Sequence, residues 1–103
     1  EQKFFTPETK KGKLKLIASR GGDDGSIHIN QDVALYSSIL AGDEKVSYEL
    51  KENRHAWIQI VKGLLEINGE TLTQGDGASV SDEKLLEIKS LGNETEFLLF
   101  DLK

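Results

Sequence analysis

Cysteine and methionine are absent from the 103 residues, proline occurs once, and no run of apolar residues is long enough to span a bilayer. Without cysteine there is no disulfide framework, no zinc-thiolate site and no thiol nucleophile. That usage fits a reducing compartment, and residues 1–20 lack the apolar core of a secretory signal, so the expected location is cytoplasmic. A chain that opens on Glu1 and holds no methionine is expected to be a domain excised or processed from a longer protein. Its length is that of one domain.

What is present is charge, unevenly placed. The net charge is −5, yet residues 1–20 carry six basic residues (Lys3, Lys10, Lys11, Lys13, Lys15 and Arg20) against Glu1 and Glu8. The remaining body is therefore strongly acidic. Binding to a phosphate backbone requires the opposite balance, so nucleic acid is not an expected partner, and neither is a membrane. The basic stretch reads as a solvated extension with strand-edge lysines, or as a docking arm for an acidic neighbour.

The dominant hydrophobic period is two. Leu14, Leu16 and Ala18 share one face, as do Val46, Tyr48 and Leu50; Ala56, Ile58 and Ile60 oppose His55, Trp57, Gln59 and Val61; Phe97 and Leu99 oppose Leu98, Phe100 and Leu102. Alternation of this kind is what a half-buried strand requires, because successive side chains point to opposite faces. Further strands are expected over Ser26–Asn30 and Asp32–Leu40. Gly21–Gly25, Gly42-Asp43 and Gly92-Asn93 read as turns. Asn68-Gly69 between Leu64–Ile67 and Glu70–Leu72 reads as a tight hairpin, because both central residues tolerate positive φ. Short strands with glycine-rich turns predict an all-β fold, two packed antiparallel sheets of sandwich or barrel type. At most one helical turn is expected, near Asp82–Lys84. Pro7 belongs to an N-terminal linker over residues 1–12, followed by one domain over 13–103.

Candidate chemistry is sparse. No serine lies in Gly-x-Ser-x-Gly, and Gly21-Gly22 is followed by acids where a phosphate loop needs lysine. Asp23-Asp24 and Asp82-Glu83 lack the further oxygen ligands of a calcium loop.

The spacing of glycines carries more. Gly42 is followed after five residues by Tyr48-Glu49-Leu50, then by Arg54-His55 and Gly63; Gly69 is followed after five residues by Gly75-Asp76-Gly77, then Val80 and Lys84. This resembles the two cupin motifs, in which His-x-His, a glutamate and a further histidine hold a divalent metal inside a small barrel. The turn glycines match. The ligand positions do not: Tyr48 and Leu50 stand for the histidine pair, Arg54 or His55 for the glutamate, Val80 for the last histidine. A transition-metal centre needs several imidazole or carboxylate donors converging on one point, so no metal ligand is assigned in this chain. Tyr48, Leu50 and Val80 are instead expected to fill the lumen, each buried apolar side chain adding about 1.5–3 kcal/mol.

The ordered segments Leu16–Ser19, Asp24–Asp32, Arg54–Trp57, Asn68-Gly69, Gly75–Gly77 and Leu99–Leu102 are similar to the C-terminal half of bacterial pirin-like proteins, over essentially the whole chain. The resemblance implies a C-terminal cupin domain (a jelly-roll β-barrel) of a bicupin. The N-terminal barrel of such a protein carries the divalent metal, and some members are quercetin 2,3-dioxygenases. It implies no cofactor in this chain, no catalysis by this chain alone, and the N-terminal cupin domain of the same parent as partner. An interface patch exposed in the isolated domain would favour self-association. The alternative is a small-molecule binding module without catalysis, with Tyr48, Arg54, His55, Trp57 and Gln59 as candidate ligand-binding residues. Each has a plainer role beside that one: Trp57 in core or interface packing, Arg54 and His55 in local hydrogen bonds or ion pairs, and Tyr48 as a lumen-filling ring that needs a partner for its hydroxyl.

Overall fold

A computed structural model describes residues 11–19, 27–28 (backbone only), 33–81 and 83–102. The Gly21–Gly25 turn, Pro7 and most of the N-terminal extension lie outside these residues. Ten strands follow in chain order: β1 (Lys15–Ser19), β2 (Ile27–His28), β3 (Val33–Ala41), β4 (Lys45–Glu49), β5 (His55–Lys62), β6 (Leu64–Ile67), β7 (Glu70–Thr73), β8 (Gly77–Val80), β9 (Leu85–Ser90) and β10 (Glu94–Leu102). No helix occurs among the described residues; Glu83 and Lys84 are irregular rather than helical, and Asp82 is not described.

The strands form two sheets, one ordered β2-β1-β3-β10-β5-β8 and the other β4-β9-β6-β7. From β3 to β6 the chain alternates between the sheets, and it does so again from β7 to β10. This alternation makes the jelly roll: each crossing carries a strand's apolar face to the opposite wall of one core. The sheets face each other without closing into a continuous hydrogen-bonded barrel. Pairing is antiparallel except at β1–β2, which is parallel, and at the bridge from Lys11 to Ile39.

The period of two decides the inner faces. Ile58 and Ile60 of β5 and Phe97 and Leu99 of β10 meet Leu65 and Ile67 of β6 and Leu86 and Ile88 of β9, all buried. Leu50 is buried with them, and Tyr48 and Val80 pack against the same cluster, as the lumen-filling expectation required. The Asn68-Gly69 hairpin has φ of 47° and 90° at its two central residues and pairs Ile67 with Glu70. One register shift separates the β5–β10 pairs Ile60–Phe97 and Lys62–Glu96, so Val61 bulges out and is exposed.

Gly63, which follows this bulge, has a φ of +97°, and a Cβ there would lie 2.5 Å from the carbonyl oxygen of Glu94 and 2.8 Å from Cα of Thr95. Only glycine allows the chain to pass so close to β10 as it leaves one sheet for the other.

Candidate functional site

Strand β4 places Tyr48 inward because it alternates with the exposed Ser47 and Glu49. Strand β10 places Asp101 inward in phase with Thr95, Phe97 and Leu99, and only 6% of Asp101 is exposed. The turn Leu50–Arg54 joins β4 to β5, with Asn53 at a φ of 63°. It is anchored at the barrel mouth by a 2.8 Å hydrogen bond from the amide of Leu50 to the carbonyl of Lys84. The turn delivers Arg54 to the same point. Its Nε donates to Oδ1 of Asp101 and its Nη2 to the Asp101 backbone carbonyl at 3.0 Å, while the Tyr48 hydroxyl donates to Oδ2. Tyr36 of β3 completes the group, its hydroxyl 3.5 Å from that of Tyr48 and its ring edge-on at a centroid distance of 5.0 Å.

The electrostatics follow from burial. A carboxylate removed from water is tolerable only with a compensating charge and filled hydrogen-bond sites. Arg54, whose side chain is 19% exposed, supplies the charge. Burial first, then the bond to Asp101 and the nearness of Tyr36, push the Tyr48 phenol well above the usual tyrosine range. Tyr48 therefore keeps its proton and donates it in a hydrogen bond to Asp101 throughout the physiological range.

These residues do not fit a divalent cation. Two of the ligand positions hold the hydrocarbon side chains of Leu50 and Val80, a third holds a phenol that keeps its proton, and the one carboxylate present is taken by a guanidinium. Among the described residues no three histidine, cysteine, aspartate or glutamate side chains converge.

The five candidate binding residues are divided by the sheet. Tyr48 and Arg54 reach the interior cluster. His55, Trp57 and Gln59 lie on the outer face of β5, opposite Leu102, Phe100 and Leu98 of β10 respectively. Because successive strand residues face opposite ways, Arg54 and His55 are neighbours in sequence yet serve different surfaces, although both border a mouth groove of about 550 Å³ with Leu50, Asn53 and Glu83. Trp57 is 39% exposed; its indole packs over Gly77 of β8, and its Nε1 lies 3.4 Å from Oε1 of Gln59. The Gln59 amide nitrogen donates to the carbonyls of Gly75 and Asp76, both at 3.2 Å. Asp101 and Tyr36 were not foreseen. The available signal was an acid in phase with the apolar Phe97 and Leu99 of β10.

Two facing sheets traversed in this order, with glycines at the cupin turn positions, define a cupin domain. The chain belongs to the quercetinase C-terminal cupin domain family, whose model matches residues 16–102. It is 37% identical over 102 residues to the quercetin 2,3-dioxygenase of Escherichia coli (strain K12), covering 99% of this chain and 42% of that protein. The crystal structure of YhhW from Escherichia coli matches with a TM-score of 0.92 at 35% identity, over 100% of this chain and 42% of that one. That of bacterial pirin YhhW in complex with nickel(II) matches with a TM-score of 0.89 at 35% identity, over 99% and 42%. The chain thus spans well under half the length of these relatives. No helix among the described residues is long and apolar enough to cross a membrane.

Proposed function

We propose that this chain is the companion barrel of a two-barrel, pirin-like protein of the quercetin 2,3-dioxygenase type, itself without metal, packed on a metal-bearing barrel whose site it stabilises. One observation carries the reading: the positions that would hold metal ligands are occupied by Tyr48, Leu50 and Val80, with Arg54 paired to Asp101 in the lumen. The outer face of the larger sheet supports it. There Trp57, Phe100, Leu98 and Leu102 stand side by side across β5 and β10, partly exposed, which is the aromatic and aliphatic make-up of an interface core. A relative in which this domain is 42% of the length has the remaining chain to cover such a face.

The test uses the chain alone and the chain joined to the N-terminal remainder of its parent. After incubation with Fe(II), Mn(II), Ni(II) or Zn(II) and desalting, the chain alone is expected to retain no stoichiometric ion. The joined protein is expected to retain one and to consume O2 with quercetin. One ion held tightly by the chain alone, or full activity and stability of the N-terminal half by itself, overturns the reading.

A second reading, a small-molecule binding module, is favoured by the mouth groove that Arg54 and His55 border. Chemical-shift mapping with quercetin separates the two: shifts confined to residues 50–55 and 83–84 support binding, and no localised shift ends it.

A further inference from the structure

We propose that the Arg54 guanidinium is the resident cation of this barrel: it neutralises Asp101 and, with Tyr48, forms a side-chain tie across the lumen that takes the place of a metal ion. The inference rests on the companion-barrel reading in one respect, that Tyr48 occupies a former ligand position and Arg54 lies at or next to another.

The geometry is that of a metal cross-link rebuilt from hydrogen bonds. A bound ion would draw together donors from different strands. Here Asp101 is the common acceptor. It receives Tyr48 from β4 in the smaller sheet and Arg54 from the β4–β5 turn, while Asp101 itself belongs to β10 in the larger sheet. Tyr36 from β3 packs against Tyr48 from the side. The guanidinium also holds the Asp101 backbone carbonyl, so it fixes the end of β10 as well as the carboxylate. A planar fork with several donors suits this double contact, and a lysine ammonium would not reproduce it.

The tie is charge-specific, which separates it from ordinary packing. Removing one member of a buried ion pair strands the other charge, whereas removing both charges while keeping the shape does not. Arg54→Met leaves the Asp101 carboxylate uncompensated, and the melting temperature is expected to fall by more than about 10 °C. In the double variant Arg54→Met/Asp101→Asn the carboxylate is replaced by an isosteric amide that still accepts from Tyr48. It is expected to melt higher than Arg54→Met and to recover at least half of the loss. If Arg54→Met does not fold, a folded double variant gives the same support. A double variant that melts below either single variant, or an Arg54→Met protein that melts like the parent, overturns the proposal. These outcomes are read by thermal unfolding and leave the metal-retention test of the companion reading untouched, so either idea can fail alone.

Discussion

Thr95 and Asp101 stand six residues apart on the inward face of β10, and each reaches across the core to the opposite sheet. Between them lie Phe97 and Leu99, both buried. At one end the Thr95 hydroxyl donates to the carbonyl of Leu64 at 2.9 Å, accepts from the Leu64 amide at 3.2 Å and lies 2.8 Å from the Ser90 hydroxyl. At the other, Asp101 accepts from Tyr48 and Arg54. The central strand is thus pinned at both ends by polar contacts, with hydrocarbon between.

Replacing Thr95 with valine keeps the shape and removes the hydroxyl. The partly buried amide of Leu64 then loses that partner, which costs about 1–3 kcal/mol. Urea unfolding is expected to show a lower midpoint with an unchanged m-value; an unaltered midpoint would mean that the Thr95 bonds contribute nothing net.

Gly63→Ala meets backbone, which cannot swing aside as a side chain can. The added methyl would sit 2.5 Å from the Glu94 carbonyl at a φ of +97°. A loss of about 3 kcal/mol or more is expected, a large share of the stability of a domain of this size. Thermal unfolding monitored by circular dichroism checks it, and a loss under about 1 kcal/mol would contradict this close approach.

Gly77→Ala has a different outcome for a related reason. The new Cβ would fall 2.2 Å from Cζ2 of Trp57, but the backbone there is unstrained and an exposed indole can move. The fold is expected to persist, with the emission of the single tryptophan shifted to the red as the ring leaves its glycine shelf. Unchanged emission would show that Trp57 does not rest on Gly77 in solution.

Tyr48 makes stability depend on alkaline pH. Its folded-state affinity for the proton is raised, mainly by burial and then by Asp101. Its contribution is complete below the ordinary tyrosine value of about 10 and is lost as pH rises beyond it, because the unfolded chain releases the proton while the folded chain keeps it. Unfolding free energy measured between about pH 9 and 11 is expected to fall with pH in the parent and less steeply in Tyr48→Phe. Equal slopes would place Tyr48 in contact with solvent. At neutral pH the same substitution removes a hydrogen bond to a charged acceptor and is expected to cost about 1.5–3 kcal/mol.

The sequence by itself determined eight of the ten strands, the Asn68-Gly69 hairpin, the cupin turns and the lumen-filling role of Leu50 and Val80, because alternation and positive-φ turns are local properties written into neighbouring residues. It did not give β8 or β9, where a glycine turn and the adjacent Leu85-Leu86 blur the alternation. The parallel β1–β2 pair was not legible, because the alternation of side chains within each strand is the same whichever direction it pairs. Nor was the division of Arg54 from His55, Trp57 and Gln59, which depends on which face of β5 turns inward. Only the tertiary structure decided that Asp101, forty-seven residues from Arg54 and fifty-three from Tyr48, is the point where they meet. An acid on an apolar strand face states a need for a compensating charge; which cation answers it is settled by how two sheets pack.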